Sequence, residues 1–300
     1  MDHPSMSLAH SLQAPGQFLS VAEVRESEQN AGDSAACAIA LGAIPVNESS
    51  KSYLDPTIAV QLCGQTKPKV MSYGWETGRA AGGMLGLPWY VLQAHSATLL
   101  VAGSAGSGTL EVWHIDPVSD ELRLASGYFG IWDEFRRITA STHFTKGNGL
   151  PGRVWESRQP ILFQDLTESG TFLRAVAARA IGLEFGLGLP VEYPEGFGVA
   201  VLLSTRTAPI ARTTDIWRLH GKSDIEHLHG MSLHESAELL HSTRMAAQSL
   251  ALSAASQFRP LAIDLATVNG TSPSTATAAF GWAWPSRDAT GVIHVATVVN

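Results

Sequence analysis

The sequence predicts an α+β fold in which an antiparallel β-sheet carries flanking helices, and in which this arrangement is repeated along the chain. Apolar and β-branched runs of strand length recur between clusters of turn residues, which is typical of β-hairpins. A Leu-Gly-Leu-Pro motif at residues 85–88 returns at 187–190, and a weaker copy, Gly-Trp-Ala-Trp-Pro, stands at 281–285. Each copy is followed by a turn-rich gap and a further apolar strand, at 98–102, 199–204 and 292–299.

These motif copies divide the chain into three predicted units. They lie about 100 residues apart, a period too long for a solenoid repeat of roughly 20–50 residues, so duplicated domains are expected. We expect a degenerate unit at 1–103, an intact unit at 104–211 and a second degenerate unit at 212–300. The region that corresponds to 160–190 is shortened in the first unit and is replaced by a polar stretch, 267–277, in the last.

The middle unit has the most regular pattern. Apolar residues with strand spacing alternate with turn clusters, and apolar residues after Thr171 follow helical spacing. Residues 146–149 (Lys-Gly-Asn-Gly) are expected to form a flexible loop. The predicted order is β-β-α-β-α-β-β, with strands at 110–115, 122–128 and 161–165, helices at 133–142 and 171–183, and a final hairpin at 185–193 and 197–204.

This order, together with several residue runs, resembles the GAF domain. The strongest run is Gly-Leu-Pro-Gly-Arg-Val-Trp-Glu-Ser at 149–157, followed by Gln159-Pro160 and by Asp165-Leu166. A glycine-rich turn, then W-x-S-x-x-P and a strand ending in D-L, is a layout found in bacterial GAF proteins. The resemblance extends over residues 107–218 and implies a GAF/profilin-like sheet that senses a small molecule.

The resemblance also implies where a ligand would bind, between the sheet and a roof formed by residues 135–150 and 169–174. Such a site is concave and mostly apolar, with a few polar groups that orient the ligand. The candidate ligand-binding residues are aromatic, aliphatic or cationic: Tyr128, Phe135, His143, Trp155, Phe163, Phe172, Arg174 and Leu187. The alternative for the aromatic residues is burial in the core without a ligand. For Arg174 the alternative is a structural arginine, and for His143 an ordinary surface histidine.

Composition and charge exclude several classes of partner. Charged residues make up 16% of the chain and the formal net charge is -7, so no electrostatic footprint for nucleic acid is present. The apolar stretches are of strand length, far short of the ~20 residues of a membrane span, so no membrane is expected. Two cysteines, and an N-terminus without the pattern of a signal peptide, favour a cytoplasmic location.

The sequence contains no motif that predicts catalysis. It has no G-x-S-x-G elbow, no H-E-x-x-H and no P-loop. Five histidines lie between 220 and 241, but few carboxylates and no cysteine accompany them, so no metal site is predicted. An enzyme that uses a metal, or a thiol of Cys37 or Cys63, is a third and less favoured interpretation. We expect neither enzyme activity nor catalytic residues, and the sequence leaves any cofactor unknown.

We therefore predict a small-molecule-sensing or regulatory protein in signal transduction, without a catalytic output domain. Its partners would be an unknown small molecule and either a second copy of the chain or a separate signalling protein. The alternative is a scaffold for interaction or dimerisation, whose GAF folds have no ligand. An open cavity beneath residues 135–150 would favour the sensor, whereas a space filled by the protein's own side chains would favour the scaffold.

Overall fold

Three antiparallel sheets of five strands each form the framework of the protein. The computed structural model describes residues 19–26, 37–38, 56–76, 79–104, 108–167, 170–221, 223–233, 236–264 and 280–299. The polar stretch at 267–277 lies outside these residues. Within them, the antiparallel sheets and their flanking helices confirm the predicted α+β fold class.

The three sheets share one strand order. When the five strands of a sheet are numbered in chain order, the first strand lies between the second and the fifth. The fourth strand follows the fifth, and the third strand forms the far edge. The first sheet, ordered β2-β1-β5-β4-β3, contains β1 (Leu19–Glu26), β2 (Cys37–Ala38), β3 (Lys69–Glu76), β4 (Arg79–Val91) and β5 (Ala94–Ser104). The middle sheet, ordered β7-β6-β10-β9-β8, contains β6 (Gly108–Asp116), β7 (Glu121–Tyr128), β8 (Ile161–Phe163), β9 (Leu183–Tyr193) and β10 (Gly196–Thr205). The third sheet, ordered β12-β11-β15-β14-β13, contains β11 (Thr213–His220), β12 (Asp224–Ser232), β13 (Leu261–Asp264), β14 (Phe280–Arg287) and β15 (Ile293–Val299).

In the described part of the chain, five helices cover the outer faces of these sheets. One helix, α1 (Pro56–Cys63), packs on the first sheet. Three helices lie over the middle sheet, namely α2 (Asp133–Ser141), α3 (Gly149–Ser157) and α4 (Ala175–Ala180). A 21-residue helix, α5 (Ala237–Gln257), packs on the third sheet. Among the described residues, no helix has the length and apolar character needed to cross a membrane.

The inner faces of all three sheets meet in one shared core. In β10, Ala200 and Leu202 face this core, whereas Val199, Val201 and Leu203 face the helices. This alternation follows from the two-residue period of a strand, whose successive side chains point to opposite faces. The strands β9 and β10 are therefore buried on both sides, which explains why they are apolar almost throughout.

The repeated motif fits this double burial. Its two large residues face the shared core, and the residue between them is small and faces a helix. A Cβ atom on Gly86 would lie 2.9 Å from Cβ of Leu62 in α1, and one on Gly188 would lie 2.7 Å from Cγ2 of Val154 in α3. The helices approach so closely that no larger side chain fits without displacing them. The large core residues are Leu85 and Leu87, Leu187 and Leu189, and Trp282 and Trp284.

Two predicted elements of the middle unit differ from the structure. Residues 149–152, expected to be a glycine-rich turn, form the first part of the helix α3, because Leu150, Val154 and Trp155 share one buried face. The glycines concealed this helix: a Cβ on Gly152 would lie 2.1 Å from the Thr145 carbonyl oxygen, so glycine is required for packing there. Of the helix predicted at 171–183, only α4 (Ala175–Ala180) is helical in the structure.

The domain boundaries after residues 103 and 211 stay a prediction. The boundary after residue 211 falls between β10 and β11, whereas the boundary after residue 103 falls one residue before the end of β5.

Candidate functional site

The predicted ligand-binding residues do not lie together in the structure. Five of them lie on the helix-covered face of the middle sheet, namely Phe135, Trp155, Phe163, Phe172 and Arg174. Tyr128 and Leu187 lie on its opposite face, in the shared core. His143 lies near the surface, with Nδ1 3.8 Å from Oε2 of Glu121.

Tyr128 contributes to packing between the first and middle sheets. A Cβ on Gly83 would lie 2.2 Å from Cγ of Tyr128, so the ring lies directly on the backbone of β4. Its hydroxyl group is buried and has no hydrogen-bond partner among the described residues. Burial raises the pKa of Tyr128 to about 12, so this phenol is neutral at physiological pH.

Beneath the roof of the middle sheet, Arg174 forms a buried ion pair with Glu111 of β6. Arg174 Nη1 donates to Glu111 Oε1 at 2.7 Å, and Nη2 donates to Oε2 at 2.9 Å. The two side chains are 1% and 0% exposed. Arg174 Nη1 also donates to Oγ1 of Thr139 in α2 at 2.7 Å. Bidentate pairs of this kind combine strong hydrogen bonds with a fixed geometry.

Aromatic rings enclose the guanidinium group of Arg174. Its Cζ atom lies 5.0 Å from the ring centroid of Phe135, 5.3 Å from that of Phe172 and 5.5 Å from that of Trp113. The Trp113 indole also donates from Nε1 to Glu111 Oε2 at 3.0 Å. A ligand was predicted to bind between the sheet and the roof. The ion pair of Arg174 with Glu111 and the surrounding aromatic rings thus occupy this space.

Glu111 is the member of this cluster that was not predicted from the sequence. It stands between Leu110 and Val112 in a buried strand. An acidic residue in such a run is expensive to bury without a partner, because an ionised carboxylate loses its hydration. This desolvation cost was the available indication in the sequence that a cationic side chain should lie opposite Glu111.

The third sheet contains a second buried carboxylate, on Asp215 of β11. Its Oδ1 lies 2.7 Å from His227 Nε2 and 3.5 Å from Arg244 Nε of α5. Its Oδ2 is buried and has no hydrogen-bond partner among the described residues. Burial raises the pKa of Asp215, although the hydrogen bond from His227 and the charge of Arg244 act in the opposite direction. Nowhere in the described part of the chain do three or more His, Cys, Asp or Glu side chains converge as metal ligands.

An open cleft lies where the three sheets meet, next to the β4–β5, β9–β10 and β14–β15 hairpins. Its volume is about 280 Å³. The first sheet contributes Trp89 and Tyr90, and the third sheet contributes Ser286 and Arg287. The repeated motif contributes to these walls, because Pro190 and Pro285, which end two of its copies, also line the cleft. The remaining lining residues are Leu92, Gln93, Arg158, Pro190, Glu192, Tyr193, Pro194, Phe258 and Pro285.

Two arginines lie in this cleft, each held flat against a phenyl ring. Arg158 Cζ lies 3.8 Å from the ring centroid of Phe197, and Arg287 Cζ lies 4.4 Å from that of Phe258. Burial lowers the pKa of Arg158, and the charge of Glu192 opposes this shift. Glu192 Oε1 lies 3.7 Å from Arg158 Nη1, and its side chain is 75% exposed. A pair that is this exposed adds little stability, so Arg158 can exchange Glu192 for another anion.

Two buried polar groups belong to residues that line the cleft. Trp89 Nε1 and Ser286 Oγ have no hydrogen-bond partner among the described residues. Trp284, whose ring packs edge-on against Trp89 with 5.2 Å between centroids, does have one, since its Nε1 donates to the Pro190 carbonyl oxygen at 2.9 Å. An unpaired buried donor is destabilising by about 1–3 kcal/mol, and both of these atoms lie beneath the surface of the cleft.

Several solved structures are similar to part of this chain. NreA from Staphylococcus aureus, mutated in its nitrate-binding site, is 15% identical over 35% of this chain and 79% of its own, with a TM-score of 0.28. The nlh2 GAF domain from A. aeolicus, in an inactive state, is 19% identical over 33% of this chain and 59% of its own, with a TM-score of 0.27. A type II free methionine-R-sulfoxide reductase from Thermoplasma acidophilum is 10% identical over 35% of this chain and 64% of its own, with a TM-score of 0.26.

No protein-family model matches the chain, and no curated protein matches it. At these identities and TM-scores, no residue role is carried over from the solved structures. The chain is thus similar, over about a third of its length, to structures that include a GAF domain.

Proposed function

We propose that this protein is a regulatory small-molecule-binding protein, and that its ligand occupies the cleft between the three sheets rather than the space under the roof. The open cleft, which is lined by aromatic rings and two arginines, carries this proposal. The roof space is filled by the pair of Arg174 and Glu111, so a ligand there would have to displace a buried bidentate ion pair. The cleft needs no such displacement.

The position of the cleft supports a regulatory role. Its walls come from all three sheets, which we propose are three GAF-like units at 1–103, 104–211 and 212–300. A ligand that contacts several units at once favours the relative arrangement of units to which it binds best. The proposal assigns no catalytic step to this site. The altered arrangement would be transmitted to a second copy of the chain or to a separate signalling partner.

The test is a thermal-shift screen of the full chain with small metabolites, nucleotides and haem, repeated on two variants. Glu192→Trp places a large ring at the exposed rim of the cleft, and Arg137→Trp places the same ring at an exposed position on α2. A ligand of the cleft raises the melting temperature of the wild type and of Arg137→Trp, but not of Glu192→Trp. A compound that stabilises all three proteins equally contradicts the assigned location.

A second candidate function is the ligand-free interaction scaffold. The filled roof favours it, and so does an apolar groove of about 450 Å³ between α2 and α4. Val176 and Leu173, which line this groove, are exposed. Absence of any stabilising compound in the screen, together with self-association that is lost in Val176→Glu, would favour the scaffold over the sensor.

A further inference from the structure

We propose that the ligand of the cleft is a small planar molecule that combines an aromatic ring with a carboxylate or similar oxyanion. This inference rests on the proposed function, since it names the class of ligand for the same cleft. It depends on two observations: the charge of the lining residues and the aromatic surface of the walls.

The charged groups favour an anion. Arg158 and Arg287 supply two positive charges, and Glu192 supplies one negative charge at the rim. Among the lining residues the positive charges thus outnumber the negative ones by one, which favours an anion. An arginine fork binds a planar oxyanion through two parallel hydrogen bonds. The ligand's oxyanion would take the place of the Glu192 carboxylate, which is exposed and free to return to water.

The walls favour a flat ring. Trp89, Tyr90, Tyr193 and Phe258 contribute aromatic surface, and prolines supply further rigid apolar surface. Aromatic rings pack against one another in offset or edge-on arrangements that add stability beyond burial alone. The volume of about 280 Å³ lies just below the usual range of roughly 300–1,000 Å³ for ligand pockets, so the ligand should be small.

The experiment titrates the ¹⁵N-labelled full chain with benzoate, benzamide and cyclohexanecarboxylate, and follows the tryptophan indole N–H resonances by NMR. The Trp89 resonance is assigned from the spectrum of Trp89→Phe. We expect benzoate to shift the Trp89 resonance and to leave those of Trp113 and Trp155 in place. Benzamide, which is isosteric but neutral, should bind roughly tenfold more weakly, because it forfeits the charge-assisted hydrogen bonds. Cyclohexanecarboxylate should also bind more weakly, because it is not planar.

Two variants and a control test the arginines separately. Arg158→Gln and Arg287→Gln should each weaken benzoate binding roughly tenfold. Arg206→Gln is the control, because Arg206 also stacks on a phenyl ring, that of Phe185, but lies outside the cleft. Its affinity for benzoate should equal that of the wild type.

The outcomes separate the ligand class from the proposed function. If benzamide shifts the Trp89 resonance as strongly as benzoate, the cleft binds ligands but the anion class is wrong. If neither compound shifts it and the thermal-shift screen finds no ligand of the cleft, both the class and the proposed function are overturned. Unchanged benzoate affinity in both Arg158→Gln and Arg287→Gln also contradicts the inference.

Discussion

The middle and third sheets each bury one carboxylate on their first strand, and they satisfy it to very different degrees. Glu111 of β6 and Asp215 of β11 each stand two residues before a buried tryptophan. Both oxygens of Glu111 accept hydrogen bonds from Arg174, which is itself 1% exposed. In contrast, only Oδ1 of Asp215 is paired, and its partners His227 and Arg244 have side chains that are 32% and 37% exposed.

This difference indicates that the burial and pairing of the partner side chains, rather than the carboxylate itself, decide whether such a site is rigid or responds to pH. A fully paired and sealed ion pair is strongly destabilised when one member is removed, because the other charge stays buried. A half-paired carboxylate whose partners reach water can exchange protons and partners at little cost. We therefore expect the Glu111 site to be structural and the Asp215 site to respond to pH.

The largest expected effect comes from removing one member of the sealed pair. Arg174→Met should lower the free energy of unfolding by about 3–5 kcal/mol, because it leaves the Glu111 carboxylate buried without a counter-charge. Arg244→Met, in the half-paired site, should lower it by less, because His227 still contacts Asp215 and burial already favours the protonated carboxyl. Urea unfolding of both variants, followed by circular dichroism, measures the two values.

The double variant Glu111→Gln with Arg174→Met is the control for this prediction. It removes both charges, so most of the lost stability should return. Equal losses in Arg174→Met and Arg244→Met would remove the distinction between the two sites.

An intermediate effect should follow from crowding the open site. A Cβ on Gly230 would lie 1.9 Å from Oδ1 of Asp215, so Gly230→Ala must push this carboxylate away from His227. We expect a loss of about 1–3 kcal/mol, as for other overpacked sites. Gly170→Ala is the matched control, since a Cβ there meets no atom within 4 Å. A loss in Gly230→Ala no larger than in Gly170→Ala would show that Asp215 is not held as described.

The smallest expected effect concerns pH. Burial raises the pKa of Asp215, so the native carboxyl keeps its proton to higher pH than the unfolded one, whose pKa is about 3.9. The stability that this group contributes is fully present below that unfolded pKa and is lost as the pH rises through the folded pKa. Asp215→Asn cannot lose the proton, so its stability relative to the wild type should increase across this window, by at most about 1.4 kcal/mol per pH unit.

Unfolding in urea at a series of pH values from 4 to 7 measures this pH dependence. Asp133→Asn, at an exposed position on α2, controls for the substitution itself. A difference between Asp215→Asn and the wild type that stays constant with pH would contradict the assignment.

Much of the fold could be predicted from the sequence because strand patterns and turn residues are local signals. The strands around 98–102, 199–204 and 292–299 all appear in the structure as the last strand of a sheet. Helix α3 could not be predicted in the same way, because its glycines are poor helix formers and are required only by packing against the backbone near Thr145.

The candidate site was predicted less completely. Phe135, Phe172 and Arg174, which come from the two predicted roof segments, do lie together in the structure. Their buried partner Glu111 was missed, since it comes from a strand 63 residues away in sequence. The cleft was missed because its lining residues belong to three separate sheets and no segment of the chain contains more than a few of them.

The sequence by itself determined the strand and helix patterns, the α+β class and the small residue between two large ones in each motif copy, because these depend on spacing along one segment. Only the tertiary structure decided that the three sheets share one core and that this core turns Tyr128 and Leu187 away from the roof. It also decided that Arg174 fills the predicted pocket while Arg158 and Arg287 line an open one. The physical reason is that a side chain's role depends on its contacts with residues that are distant in sequence, and the spacing of residues within one segment contains no information on those contacts.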